Sequence, residues 1–324
     1  MRYFITGGAG FIGSHLTLRL LSQGHEVIVL DNFSASPRDR LAKTSAKVAE
    51  GDVLDKDLVF TLAESCDYLI HLAAVVGVRL AMAKGREGLK VSCQGTENVL
   101  EAATILQKPI FLASSSATYG KILKTPVAED ADCLLGTSSK VSWLYSVAKL
   151  VEEHLALAYF RELGTKIKIG RFFNAIGPNQ TGAYGMVVPT FINKALHNQP
   201  LHVYGTGRQT RTFAYIEDVL DGLEIVLQRG QVGEIYNIGG TEEVSIFYLA
   251  QKIKELAQSS SPIQLVPYEE AFDENFEETM QRMPDITKLQ KLGYTPNWSL
   301  ERSLQALINY HRQRTGVFNV VFSK

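Results

Sequence analysis

The run Thr6-Gly7-Gly8-Ala9-Gly10-Phe11-Ile12-Gly13 constrains this chain more than any other stretch. It lies between a short apolar segment, Tyr3-Phe4-Ile5, and an amphipathic pattern that continues to about Gln23. Strand, glycine turn and helix in that order form the first half of a dinucleotide-binding unit. Gly7 permits the tight turn, Gly10 lets backbone amides approach a pyrophosphate, and Gly13 lets the helix pack closely, with Phe11 and Ile12 opening the helix whose N-terminal dipole faces the phosphates. The next strand pattern, Glu26–Leu30, ends at Asp31, 18 residues beyond Gly13. An acid there binds both ribose hydroxyls of NAD and repels the extra phosphate of NADP. Asn32 follows it and is expected in the same cofactor pocket.

Further strand patterns at Lys47–Glu50, Tyr68–Ala74, Pro109–Ala113 and Lys166–Arg171 alternate with helical ones, including 88–106 and 143–163. That alternation predicts an α/β fold with a doubly wound parallel sheet and a smaller α+β C-terminal substrate lobe. We expect residues 1–173 to form the NAD-binding part, with a later return at about 212–240. Residues 174–211 and 241–311 then form the substrate lobe, and 312–324 a tail. Leu72, Ala73 and Ala74 end the fourth strand with mainly small side chains, leaving room for a cofactor at the crevice. Asp52, followed by Val53, is either a surface turn residue or an adenine ligand.

Composition excludes several classes. With 33 basic and 34 acidic side chains and a net charge of −1, no polyanion is implied, so nucleic acid is not an expected partner. No signal-peptide layout or spanning apolar run is present, so the reading is a cytoplasmic protein without membrane association. Cys66, Cys93 and Cys133 are isolated, which suggests neither disulfides nor a metal site.

The chemistry is expected at Tyr145-Ser-Val-Ala-Lys149. Residues four apart share one helix face, and an ammonium held beside a phenol favours the phenolate, a general base usable at cellular pH. Before it lies Ser114-Ser115-Ser116-Ala117-Thr118, at the end of a strand pattern. These hydroxyls either close an ordinary turn or point into the crevice. Asn174, at another strand exit, is a candidate substrate contact. Arg208 and Arg211, on a glycine-containing turn, suit diphosphate recognition.

Taken in order, the glycine run, Asp31, the serine cluster, Tyr145-x-x-x-Lys149 and Arg171-Phe-Phe-Asn174 resemble the extended short-chain dehydrogenase/reductases. Gln209-Thr-Arg211 through Asp218 and Arg282-Met-Pro-Asp285 are similar to the sugar-nucleotide segments of their epimerase/dehydratase group. The resemblance implies tightly held NAD and a UDP-sugar substrate. It also implies catalysis by Tyr145, Lys149 and Ser115, and substrate contacts from Ser115, Ser116, Thr118, Asn174, Val188, Tyr204, Arg211, Arg282 and Asp285. A homodimer built on two helices of the first lobe is implied as well. Within the group, sugar 4,6-dehydratases carry an Asp-Glu pair where this chain has Ser116 and Ala117, and UDP-glucuronate decarboxylases carry a Glu at Ala117. Since Ala117 cannot move a proton, the expectation is 4-epimerisation through a transient 4-keto sugar. Segments resembling those of UDP-glucuronate 4-epimerases, such as Tyr184-Gly-Met-Val-Val-Pro189, put a hexuronate level with a neutral hexose, so the expected substrate is UDP-glucuronate or UDP-glucose, with a lean to the former. The alternatives are a decarboxylase or dehydratase and, from another class, a non-catalytic NAD-binding regulator.

Overall fold

Adjacent residues of a strand face opposite sides of its sheet, so a strand buried on both sides reads as a continuous apolar run. In the computed structural model, which describes residues 1–76, 84–182, 185–271 and 277–315, that rule sorts the core. Tyr3 and Ile5 join one hydrophobic cluster with Val27, Val29, Ile70 and Phe111. Their neighbours Phe4, Ile28, Leu30, Leu69 and Leu112 join the other, on the opposite face. Each fully buried aliphatic or aromatic side chain contributes about 1.5–3 kcal/mol.

The strands of this sheet are β1 (Arg2–Thr6), β2 (Glu26–Asp31), β3 (Lys47–Glu50), β4 (Tyr68–His71), β5 (Ile110–Ser115) and β6 (Ile167–Phe172). Short strands β7 (Ala175–Ile176), β8 (Leu201–Tyr204), β9 (Thr210–Thr212) and β10 (Ala214–Tyr215) follow. Then β11 (Ile235–Ile238) returns to the sheet, which runs β11-β6-β5-β4-β1-β2-β3 with every pair parallel. Strand β12 (Glu243–Ser245) pairs antiparallel with β9, and β13 (Ile263–Val266) pairs parallel with β8.

The longer helices are α1 (Phe11–Ser22), α2 (Lys56–Glu64), α3 (Gly85–Lys90), α4 (Thr96–Ile105), α5 (Leu144–Leu163), α6 (Val187–Leu196), α7 (Ile216–Arg229) and α8 (Ile246–Leu256). Short turns α9 (Tyr268–Ala271) and α10 (Thr287–Gln290) precede α11 (Leu300–Thr315). Helix α1 is tied to α7 by Arg19 and Asp221, 2.5 Å apart.

Three expectations change. Strand β4 stops at His71 rather than Ala74, because after Leu72 N donates to Thr6 O the chain turns across Gly7. The helix expected from Gly88 starts at Gly85 and carries a π-helical turn, Val91–Gly95, between α3 and α4. Residues 312–315 belong to α11 instead of a tail, held by Leu304, Leu307 and Ile308 in the core. No helix among the described residues is long and apolar enough to cross a membrane, and no acidic, His or Cys cluster among them could hold a metal.

Candidate active site

The dinucleotide cradle forms where β1 meets α1. Gly7 has φ +70°, and a Cβ there would lie 2.8 Å from the Ala73 backbone; at Gly13 it would lie 2.3 Å from Gly7 O. Any side chain at either position would push the loop apart, so the turn is shaped for close approach by a ligand. Gly10, with its N–H on Gly7 O at 3.1 Å, precedes the first turn of α1, where Phe11 and Ile12 are half-buried. Asp31 accepts the Ala9 amide at Oδ2 and the Phe33 amide at Oδ1, both at 2.9 Å. Burial pushes its pKa up against those bonds. It therefore holds the glycine loop as well as facing the expected ribose.

Asn32 donates to Asp52 Oδ2 at 2.8 Å, and Asp52 Oδ1 accepts the Leu54 amide at 3.0 Å. Asp52 is thus a turn residue that also reaches the cofactor side through Asn32. The Val53 side chain lies in the core, and its carbonyl accepts from Asn98 Nδ2. Leu72, Ala73 and Ala74 remain half-buried beside Gly7. Arg40 is a residue the sequence reading missed: it donates to Ala9 O and to Asn179 O, clasping the glycine loop to the other side of the cleft. It lies in a polar stretch without periodicity, so nothing in the sequence marked it.

Tyr145 and Lys149 stand on the first turns of α5, the tyrosine half-exposed and the lysine 4% exposed. Lys149 Nζ donates to Ala113 O at 2.9 Å and to Glu152 Oε2 at 2.8 Å. Burial alone would push the ammonium's pKa down, but Glu152, Tyr145 and Glu153 outweigh it, and the pKa lies above the ordinary lysine value. His71 bridges Thr6 Oγ1 (2.7 Å) and Thr96 Oγ1 (3.1 Å); burial, aided by Lys149, lowers its pKa to about 3, so it is neutral. Glu153 receives Arg171 through Nε at 2.9 Å and Nη2 at 2.7 Å, together with the Ser114 hydroxyl. Glu152 and Glu153 were also missed, although their offsets of three and four from Lys149 place them on its helix face.

On the substrate side, Ser115 is half-buried and accepts from Ala117 N at 3.2 Å, which leaves its own proton free to donate. Asn174, at φ +21°, donates to Thr212 O at 2.8 Å and is half-buried. Tyr204 is half-buried at the end of β8. Arg211 is held by Glu278 at 2.5 Å. Arg282 donates to Thr279 Oγ1, its Nε has no partner, and it is close enough to Tyr145 and Arg211 for their charges to act on it. Part of the residue's surface is open, yet burial first and Arg211 second push its pKa down to about 10.

Four expected substrate contacts have little open surface or a polar group already engaged. Ser116 and Thr118 are 2% and 0% exposed, the latter bonded to Ser115 O, because the turn Ser116–Tyr119 folds them inward. Val188 is 1% exposed, since α6 packs its apolar stripe into the core. Asp285 spends its carboxylate on Thr287 N at 2.8 Å at the start of α10. Tyr184, from the segment likened to glucuronate epimerases, lies outside the described residues.

Comparison with known proteins agrees with this geometry. The profile of the NAD dependent epimerase/dehydratase family matches residues 3–239. The UDP-N-acetyl-alpha-D-glucosaminuronate decarboxylase of Bacillus cytotoxicus is 40% identical over 96% of this chain and 98% of its own. UDP-glucuronic acid decarboxylase 1 of Danio rerio is 36% identical over 95% of this chain and 72% of its own. The structure of UDP-glucuronic acid 4-epimerase from Bacillus cereus, solved with UDP-glucuronic acid and NAD, superposes with a TM-score of 0.86 at 29% identity, over 97% of this chain and all of that one. The chain therefore belongs to the NAD dependent epimerase/dehydratase family, and NAD is its cofactor.

Proposed function

We propose that this enzyme decarboxylates a UDP-hexuronate, yielding the UDP-sugar one carbon shorter. The observation that carries the reading is the end-to-end similarity to UDP-hexuronate decarboxylases, over 96% of the chain for the Bacillus cytotoxicus enzyme. The glycine cradle and Asp31 would hold NAD, which would supply a reversible hydride acceptor at carbon 4. Tyr145 takes the carbon-4 hydroxyl proton, Lys149 favours the phenolate, and Ser115 orients the hydroxyl. The ketone so formed is β to the carboxylate, which leaves as carbon dioxide. Arg282 and Arg211 supply cations for the diphosphate or the carboxylate. Ala117, the ground for expecting an epimerase, loses its force here, because a β-keto acid releases carbon dioxide without a base.

A second reading, 4-epimerisation of UDP-glucuronate, is supported by the absence of an acid at Ala117 and by the likeness to the Bacillus cereus epimerase. One experiment separates the two. The holoenzyme is incubated with UDP-glucuronate, UDP-N-acetylglucosaminuronate and UDP-glucose in turn, and products are followed by proton NMR and mass spectrometry. Loss of one carbon dioxide supports decarboxylation and identifies the group at carbon 2; an isomer of unchanged mass refutes it. We place a homodimer interface on α4 and α5, where Ile105, Val147, Val151 and Leu163 are 61%, 37%, 39% and 60% exposed. Sedimentation of Val147→Asp and Val151→Asp as monomers would support that placement.

A further inference from the structure

Lys149 is the cation on which the phenol chemistry depends, yet it is not an isolated charge. Its Nζ lies 2.8 Å from Glu152 Oε2, with the two side chains 5% and 0% exposed. A carboxylate this deep is costly unless a cation answers it. The neighbouring Glu153 is answered by Arg171, at 2.7 Å. Glu152 has only the lysine of the reacting pair. Its other oxygen, Oε1, closes no hydrogen bond of ordinary geometry, although Ser92 faces the carboxylate. Ser92 comes from the π-helical turn Val91–Gly95, a rare backbone form that concentrates at functional sites.

We infer that Glu152 is a positioning residue for the reaction, holding the Lys149 ammonium in place and offsetting part of the charge with which it favours the Tyr145 phenolate. The inference rests on the proposed role of Tyr145 as the base at carbon 4. The groups facing this pair come from three elements. His71 of β4 is neutral, as its pKa of about 3 requires. The π-helical turn contributes Ser92 and Cys93, whose thiol burial and Glu152 both push up, so it too stays neutral. Helix α5 contributes Tyr145 and Glu153, the latter already paired with Arg171. Burial pushes the Glu152 pKa up, and the Lys149 ammonium 2.8 Å away pulls against it; among these described groups Glu152 is the carboxylate not committed to another cation. It lies two helical turns from Tyr145, about 10 Å along the axis. At that distance, and with an effective dielectric constant near 20, one charge moves a titration by about one pH unit.

The test is kcat/KM against pH for the NAD-saturated holoenzyme and for Glu152→Gln, using whichever UDP-hexuronate the wild type converts. The acid limb is expected to move to lower pH by about one unit, with NAD affinity within about threefold of wild type. Glu152→Met, also neutral and of similar volume, should move it equally, and Glu152→Asp should leave it within about 0.3 unit. An unmoved limb in the neutral variants, or one displaced to higher pH, overturns the inference. So does failure of both neutral variants to fold, because the pair would then be structural. A wild type that converts no UDP-hexuronate fails the underlying reading instead, and is seen before any variant is made.

Discussion

Arg282→Met should cost activity and yet leave the ligand-free protein at least as stable. The guanidinium is desolvated, its Nε has no partner, and Arg211 adds like charge nearby; burial first and Arg211 second lower its pKa from the ordinary arginine value to about 10. That depression corresponds to at most about 3 kcal/mol against the folded state, and to less where the partly open pocket admits water. The sign follows from linkage. A cation whose folded pKa is depressed destabilises the fold at every pH well below that value, and the penalty fades only as pH rises through about 10. Between pH 6 and 9 the variant is therefore expected to match or exceed wild type in urea midpoint, at unchanged slope. Catalysis should move the other way. An anionic substrate group closing two charge-assisted hydrogen bonds on Arg282 gains about 1.5–3 kcal/mol from each, so losing both lowers kcat/KM by roughly 10²–10⁴. A variant that keeps kcat/KM within about threefold of wild type, or whose midpoint falls, would refute the reasoning.

Other substitutions probe the remaining parts. Tyr145→Phe should abolish turnover while NAD stays bound, as read by NAD content after gel filtration. Glu153→Gln leaves Arg171 buried beside a neutral partner and should cost about 3–5 kcal/mol in urea denaturation, even though the site's reacting groups are untouched. Gly13→Ala drives a Cβ to 2.3 Å from Gly7 O and should abolish NAD retention, seen in the absorbance ratio of the purified protein. His71 is held neutral, with its pKa lowered to about 3, while its unfolded counterpart protonates near 6.5; stability is therefore lost as pH falls below 6.5. His71→Gln should make that loss shallower by about 1.4 kcal/mol per pH unit.

The sheet was legible because its strands announce themselves. Phe4, Leu69 and Ile110 are apolar beside apolar neighbours, as burial on two faces demands, and Gly7 and Gly13 mark a turn where a Cβ has no space. Tyr145 and Lys149 were legible through helical spacing. What could not be read was which polar groups meet across the sequence. Arg40 reaches Asn179, and Arg211 reaches Glu278, through contacts that span distant loops and leave no periodic trace. The burial of Thr118 and Val188 was hidden for a related reason: position along the chain says which element a residue sits on, and only packing says which way its side chain faces. Glu152 is the instructive case, because its spacing was visible while its burial was not.

Ala117 carries the largest reversal, and the reason is proton accounting. It sits 6% exposed in the turn after β5, and its methyl side chain can neither accept nor donate a proton. Taken as the absence of a base, that pointed away from decarboxylation. Yet when a β-keto carboxylate breaks its carbon–carbon bond, the electron pair moves into the ketone and carbon dioxide departs; no proton is removed from the substrate in that step. A proton is needed only afterwards, at carbon 5, and it comes ultimately from solvent. In deuterium oxide the UDP-sugar product should therefore carry one non-exchangeable deuterium at carbon 5 beside the original hydrogen, visible by proton NMR as loss of one of the two carbon-5 signals. Epimerisation at carbon 4 would introduce none, since hydride leaves and returns without exchange; dehydration would also place deuterium at carbon 5, because the hydride goes to carbon 6 and the solvent proton to carbon 5, and it is told apart by its loss of water. In a single turnover, a product lighter by carbon dioxide with no deuterium at carbon 5 would mean that the proton comes from a protein group slow to exchange with solvent, and the search would turn to the buried hydroxyls of Ser116 and Thr118.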